Sequence, residues 1–198
     1  MSERRPYDSP VRRERAAETR ERIIVAGSEL VHRFESWDWD QLTFRAVAEQ
    51  AGVGERTVYR HFPTERLLHD AVMQRLHEEA GVTYEDVTAT NLTAVTARVL
   101  GSMARFSPGP ALQLPDDPTF EAVDARRRAA LHRVVDELGL TGDRSETVAA
   151  VLDVLWNLPA FDHLVRGWDL DAERASGALG WIIELVLRAA REGDLPPR

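Results

Sequence analysis

The chain has 198 residues, enough for one sizeable core or for a small module joined to a larger one. It has no cysteine, which excludes disulfides and thiolate metal sites, and its net charge is −8. The longest apolar stretch, near residues 181–190, is too short and too polar at its ends to span a bilayer, and the N-terminus has no apolar signal core. We therefore expect a cytoplasmic protein with no membrane partner.

The first predicted helix follows a polar N-terminal arm. Residues 1–10 contain Pro6 and Pro10 and are expected to be disordered. The helix is predicted to run to about Phe34, with one apolar face. That face consists of Ile23, Ala26, Gly27, Leu30, Val31 and Phe34. In the turn that follows, Trp39 is expected to fill the core of the first three helices.

Residues 42–72 carry the most informative pattern, a helix, a Gly-Val-Gly turn, a short second helix and a third helix. Thr43 is a favourable N-cap, because its hydroxyl can accept from a free N–H of the first turn. Gly52 ends the helix where a left-handed backbone costs little, and Gly54 lets the next helix begin almost at once. The spacing predicts two helices joined by a tight turn.

The second of these helices, residues 55–62, is too short to be stable alone. Val58 and Phe62, at positions i and i+4, would attach one face to the core. The outward face would then present Arg56, Tyr59, Arg60 and His61. A short anchored helix with an exposed basic and aromatic face is what contact with a DNA major groove requires.

The rest of the chain also has helical periodicity, with no β pattern. A polar connector is predicted at residues 81–90, and prolines predict an irregular region around residues 107–118. Pro159 is expected to kink or break the helix that contains it. The predicted helices run from the Thr64 cap to about residue 80, over residues 92–106 and 119–138, from Ser145 onward, and from Asp171 to near Gly193.

The residues from 42 onward resemble the TetR family of bacterial transcriptional regulators. The shared pattern is Leu42-Thr43, then Ala-x-x-Ala-Gly-Val at residues 48–53, Thr-Val-Tyr-x-His-Phe at residues 57–62, and Leu67-Leu68. This resemblance implies an all-α protein with an N-terminal three-helix helix-turn-helix DNA-binding domain and a larger helical domain for ligand binding and dimerisation. We place the first domain, with its basic arm, at residues 1–66 and the second at residues 67–198.

The resemblance also implies DNA contacts, in two groups. The residues expected at base edges are Arg45, Glu55, Arg56 and Tyr59. The residues expected at phosphates are Thr43, Thr57, Arg60 and His61. An arginine that donates two hydrogen bonds to guanine favours that base over a wrong one by about 1–3 kcal/mol. Glu55 could accept from cytosine N4 or could repel the phosphates.

Two features leave the DNA contacts open. Where the family usually has Pro-Ser-Lys-Glu, with a lysine that touches a phosphate, this chain has Pro-Thr-Glu-Arg at residues 63–66. Arg66 could replace that lysine, or the contact could be missing. The N-terminal arginines could reach the adjacent minor groove or could form a tail without function. They are Arg4, Arg5, Arg12 and Arg13.

Charge differs between the two predicted domains. Residues 1–66 have twelve arginines and twelve acidic residues, so the entire net charge of −8 lies in residues 67–198. A neutral N-terminal domain is more compatible with phosphates than an acidic body, which favours the N-terminal domain as the DNA-binding one.

The last two long helices are apolar on more than one side, which predicts a partner chain. The first has Val148, Val151, Leu152, Val154, Leu155, Leu158, Phe161, Leu164 and Val165. The second has Ala175, Leu179, Ile182, Ile183, Val186 and Leu187, with Trp181 and Leu185 on another side. Gly177 and Gly180 would permit close helix approach. The resemblance implies a homodimer through these helices, and a monomer with a thicker core is the alternative.

A pocket for a small effector, expected to be apolar, is implied by the resemblance. Candidate wall residues are Met103, Phe106, Leu112, Phe120, Trp156 and Phe161. Candidate polar anchors are His132 and Asn157. Each of these residues could instead belong to the core. The arginines at residues 126–128 could meet an acidic effector or form a solvated face.

No enzyme motif is present: there is no Gly-rich phosphate loop, His-Glu-x-x-His or Gly-x-Ser-x-Gly sequence. We expect no enzyme, no catalytic residues, no metal site and no cofactor. The predicted function is a ligand-responsive repressor that binds a near-palindromic double-stranded DNA operator as a homodimer. The alternative is a helical small-molecule-binding or scaffold dimer that does not bind DNA.

Overall fold

The computed structural model describes residues 10–34, 39–103 and 121–196, and every regular element in these ranges is helical. The predicted all-α class is confirmed. The helices are α1 (Pro10–Val31), α2 (Phe44–Ala51), α3 (Glu55–His61), α4 (Glu65–Glu79), α5 (Leu92–Met103), α6 (Glu121–Glu137), α7 (Asp143–Leu155), α8 (Leu158–Asp162) and α9 (Ala172–Glu192). Short 3-10 turns occur at Trp39–Gln41 and Tyr84–Asp86, and a π-helical turn at His163–Gly167 follows α8.

The chain divides into two compact units within α4, after Arg75. The first unit contains α1, α2, α3 and most of α4, packed around side chains that solvent does not reach. These are Ile23, Leu42, Val47, Val58, Leu68 and Val72. Gly27 lets α1 approach α4 closely, because a Cβ there would lie 2.4 Å from Cγ2 of Val72. Trp39 is buried as predicted, and its ring centroid lies 5.4 Å from that of His69.

In the second unit α9 packs against α5, α7 and α8, and α6 packs against α7. The largest fully buried side chains of this unit are Leu92, Leu100, Leu131, Leu152, Ile183 and Leu187. Asp171 begins α9 as its N-cap, with Oδ1 accepting from the Arg174 N–H at 2.8 Å, and Gly193 ends it with φ of 78°. Both ends of this helix lie where the sequence predicts them.

The connector predicted at residues 81–90 is present between α4 and α5, and much of it is packed against other elements of the second unit. Val82, Tyr84, Val87 and Ala89 are all buried. The backbone is held by side chains of other helices. Arg133 donates to the Tyr84 carbonyl at 2.6 Å, Glu137 accepts from the Ala89 N–H at 2.8 Å, and Arg191 donates to the Ala89 carbonyl at 2.8 Å. These long-range partners satisfy the irregular backbone, which sequence periodicity does not reveal.

One expectation needs correction, because helix α1 ends at Val31 rather than Phe34. The helix break predicted at Pro159 is confirmed: α7 ends at Leu155, α8 begins at Leu158, and the two segments are bent by 49°. Pro159 itself stands in the first turn of α8. A proline costs little there, since the first-turn N–H groups have no partner inside the helix.

Within the described residues, no single helix is both long and apolar enough to cross a membrane. One pair of helical segments, Asp143–Leu155 with Leu158–Gly167, meets that test together by length and composition, with a bend of 49° between them.

Candidate nucleic-acid interface

The turn between α2 and α3 is built by local hydrogen bonds. At the start of α2, Thr43 is the N-cap, and its Oγ1 accepts from the Ala46 N–H at 3.2 Å. At its end, Gly52 has φ of 64°, and the Val53 N–H donates to the Ala48 carbonyl at 3.0 Å. Gly54, in an extended conformation, then begins α3. Three residues join the two helices, and these hydrogen bonds fix the turn between them.

Helix α3 is anchored by its apolar face. Val58 is fully buried, and Phe62, the residue that ends the helix, is 2% exposed. The Phe62 N–H also donates to the Val58 carbonyl at 2.8 Å. The predicted attachment of the short helix by residues i and i+4 is confirmed.

The opposite face of α3 is open to solvent. Glu55, Arg56 and Arg60 are exposed, and Tyr59 is 51% exposed. The Tyr59 ring leans on Phe44 of α2, with ring centroids 4.3 Å apart and planes tilted by 58°. This contact stiffens the aromatic side chain while its polar end stays accessible.

The other predicted contact residues have different environments. Arg45 is exposed on α2, and Thr57 is half-buried on α3. Thr43 is half-buried and caps α2, so its hydroxyl already has one partner. His61 is half-buried, and its Nε2 has no hydrogen-bond partner within the described residues. Burial, followed by the charges of Arg60 and Arg20, lowers the pKa of His61.

Glu65, which stands where the family usually has lysine, has a defined role in the first unit. Its Oε1 accepts from the Phe44 N–H at 3.4 Å, so the carboxylate lies at the first turn of α2. A negative charge at that end of a helix is favourable, because the free N–H groups carry partial positive charge. The glutamate therefore links the N-termini of α2 and α4.

One basic residue near α3 is absent from the sequence-based candidates. The guanidinium carbon of Arg20 lies 4.9 Å from the Phe62 ring centroid. The sequence could have indicated this position of Arg20, because it precedes the buried residues Ile23 and Ile24 by three and four positions. Residues at that spacing share one side of a helix, here the side that faces the core. The predicted arm is also partly ordered, because Arg12 and Arg13 lie in the first turn of α1, whereas Arg4 and Arg5 lie outside the described residues.

The candidate effector residues fall into two groups. The side chains of Met103, Phe106, Leu112 and Phe120 lie outside the described part of the structure. Among the others, Trp156 is 3% exposed with its ring 5.6 Å from that of Tyr84, and Phe161 packs in a cluster with Leu100, Ala175 and Leu179. His132 is exposed on α6, and Asn157 is half-buried before α8.

The tight turn and the anchored, outward-facing α3 define a helix-turn-helix module. Residues 31–72 match the family described as Bacterial regulatory proteins, tetR family. These residues are therefore similar to the DNA-binding domain of the TetR family of transcriptional regulators, and the resemblance seen in the sequence is confirmed.

The fold extends this likeness beyond the N-terminal module. The crystal structure of a tetR-family transcriptional regulator from Streptomyces coelicolor is similar, with a TM-score of 0.59 and 21% sequence identity. The match covers 90% of this chain and 84% of that chain. At this level of identity, the likeness concerns the fold alone. Comparison with curated protein sequences gives no match.

Proposed function

We propose that the protein is a homodimeric repressor that binds a near-palindromic operator and releases it when a small molecule occupies the body. The observation that carries this proposal is the pairing of a buried face on α3 with an exposed Arg56 and Tyr59. A recognition helix must pack one face against the core of its domain and keep the opposite face polar and exposed, since base edges are recognised through hydrogen bonds. The regulator is expected to act in the cytoplasm, without catalytic activity.

The residue roles are those that the family resemblance implies, and the exposure of the side chains supports them. Arg45, Glu55, Arg56 and Tyr59 are proposed to meet base edges, because all four are exposed on α2 and α3. Thr43, Thr57, Arg60 and His61 are proposed to contact phosphates. The half-buried positions of Thr43, Thr57 and His61 suit short contacts to a backbone that passes close to the protein surface.

The homodimer is supported by apolar side chains that the second unit leaves exposed. On α7, Val151 is 42% and Val154 is 64% exposed, and on α9, Trp181 is 64% and Ile182 is 37% exposed. Because α7 and α9 pack against each other, the four residues lie on neighbouring helices. A second copy would cover them and would place two α3 helices about 34–36 Å apart, one per half-site.

The two glycines of α9 have different environments. A Cβ at Gly180 would lie 3.3 Å from Cγ2 of Thr93 on α5, so this glycine serves packing within the chain. Gly177 is exposed, and a Cβ there would meet nothing within 4 Å. Only Gly177 therefore remains available for close approach by a partner helix.

An effector is proposed to bind in the body and to shift the dimer toward a spacing that does not fit consecutive major grooves. Helix α4 is continuous through the division of the chain, which suits it to transmit the shift. The proposed effector is small and apolar, with Trp156 and Phe161 among its candidate contacts. Its identity would be sought by thermal-shift screening of apolar metabolites.

The test of DNA recognition is a gel shift with duplex DNA from beside the protein's own gene. Arg56→Ala and Tyr59→Ala should abolish the specific complex while leaving the circular dichroism spectrum unchanged. Arg98→Ala, which removes an exposed arginine from α5, should bind as the parent does. Full-affinity binding by either α3 variant would refute its assigned role. Failure of the parent to bind any DNA would favour a small-molecule-binding or scaffold dimer instead.

A further inference from the structure

Arg20 lies against the end of α3 although it belongs to α1. Its guanidinium carbon is 4.9 Å from the centroid of the Phe62 ring, within the range of a cation–π contact. Such a contact uses the flat face of the guanidinium and leaves its N–H edges available for other acceptors. Since Arg20 is exposed, these edges can meet a ligand from solvent.

Two more basic side chains share this location. Arg60 and His61 directly precede Phe62, the residue that Arg20 contacts. Both guanidinium groups also lower the pKa of His61, after the larger effect of burial. The Nε2 of His61 is buried and has no hydrogen-bond partner within the described residues. The cluster therefore combines two guanidinium groups with an imidazole, contributed by α1 and α3.

Neighbouring carboxylates do not offset these charges at helical spacing. The residues three and four positions from Arg20 are Ala16, Ala17, Ile23 and Ile24. Glu21, the next residue along α1, is committed elsewhere, because its Oε1 lies 3.0 Å from Nη1 of Arg75. For Arg60, the corresponding preceding residues are Arg56 and Thr57.

A purely structural role explains only part of the cluster. Basic residues in the last turn of a helix are favourable toward its partial negative charge, which accounts for Arg60. The lowered pKa leaves His61 mostly neutral at pH 7, so it adds little to that effect. Arg20 comes from a different helix and is not explained by the α3 dipole.

We propose that Arg20, Arg60 and His61 form a clamp for a DNA phosphodiester at the C-terminal end of α3, with Arg20 as a DNA-contacting residue from outside the helix-turn-helix. The proposal rests on the proposed function, because it assumes that α3 lies in a groove. Phosphate contacts fix the register of a protein on the duplex, while base contacts supply the specificity. Arg20 is thus expected to add affinity for DNA of every sequence.

The test measures binding of the full-length protein to a fluorescent duplex of unrelated sequence across a range of salt concentrations. Loss of one phosphate contact lowers the slope of log K against log salt by about 0.9. Arg20→Gln should show this change, which amounts to about 3.5-fold over a fourfold rise in salt. It should weaken operator and unrelated DNA by the same factor.

Arg22→Gln is the matched control. It removes the same charge from the same helix, but Arg22 lies about 200° further around α1 and follows Glu18 by four residues. Its salt slope should equal that of the parent. Arg20→Lys keeps the charge and should also keep the parent slope, and unfolding curves of all three variants identify any that are destabilised.

The outcomes separate the inference from the proposed function. Three outcomes would overturn the clamp. The salt slope of Arg20→Gln could equal that of the parent, or the slope of Arg22→Gln could fall as much as that of Arg20→Gln. The slope of Arg20→Lys could also fall as much as that of Arg20→Gln. Absence of DNA binding by the parent would refute the proposed function itself. A slope reduced in Arg20→Gln alone supports both.

Discussion

Gly27 is a residue of the helix-turn-helix unit with no room for a larger side chain. It lies in the middle of α1, where a glycine ordinarily weakens a helix by about 0.5–1 kcal/mol relative to alanine. Its presence is explained by Val72 of α4, since Cγ2 of that side chain occupies the space that a Cβ would need. Val72 is fully buried and cannot turn aside into solvent.

We therefore expect Gly27→Ala to destabilise the protein by about 1–3 kcal/mol, as overpacking of a filled core does. Adding Val72→Ala removes the obstructing methyl groups, so the double variant should lose less stability than the sum of the two single variants. Urea unfolding measures all three. Gly101→Ala, in α5 with open space around its Cβ, should be neutral or stabilising. Additive losses at residues 27 and 72 would contradict the steric explanation.

Tyr59 and Arg20 show how far single residues can be predicted from the sequence. The outward position of Tyr59 follows from the i, i+4 spacing of Val58 and Phe62, which is local information. The contact of Arg20 with Phe62 joins residues 42 positions apart and depends on where α1 crosses the end of α3. Helical periodicity places Arg20 on the core-facing side of α1 but does not identify its partner.

At the scale of elements, two helices are bounded by caps that the sequence predicts. Thr43 and Gly52 enclose α2, and Asp171 and Gly193 enclose α9, each at the predicted position. The connector after α4 lies where the sequence predicts it, but its packing is not apparent from the sequence because its partners are distant residues. Its 3-10 turn, Tyr84–Asp86, carries a tyrosine packed between two rings, with the His77 centroid at 5.2 Å and the Trp156 centroid at 5.6 Å.

This packing makes the connector sensitive to acid. Burial, then the charges of Arg126 and Arg127, lowers the pKa of His77 to about 4 from an ordinary value of 6.5. Between these values the unfolded chain binds more protons than the folded one, so stability falls as the pH is lowered through that window. The loss approaches about 3 kcal/mol by pH 4.

The expected result is a steep decline in the free energy of unfolding between pH 6.5 and pH 4, measured with urea. His77→Gln should flatten this decline, because glutamine does not titrate. His132→Gln, at an exposed position of α6, should retain it. If His77→Gln has the same pH dependence as the parent, another group is responsible.

At the scale of the whole molecule, charge is divided unevenly along the sequence. The first 66 residues are neutral overall and the remainder carries the net charge of −8. The sequence predicts that the last helices are apolar on more than one side, but it places Ile182 on the wrong side of α9. Ile182 lies on the exposed side with Trp181 rather than with the buried Ile183 and Leu187. Successive residues of a helix are rotated by about 100°, so a small error in the direction of the core moves Ile182 from one side to the other.

The exposed apolar residues of α7 and α9 lead to a prediction about assembly. Val154→Glu places a carboxylate where the proposed partner helix packs, and a buried, unpaired charge costs several kcal/mol at an interface. Sedimentation should therefore show a monomer for this variant at concentrations where the parent is a dimer. Val11→Glu, at a similarly exposed valine of α1, should remain dimeric.

The same variant links assembly to DNA recognition. A monomer carries one intact α3, so it should still bind a single half-site weakly, but it should lose the added affinity that two linked half-sites give. Titration of full and half operators would measure both. A dimeric Val154→Glu protein would place the interface elsewhere on the chain. A monomeric variant with undiminished affinity for the full operator would show that DNA recognition does not require the pair.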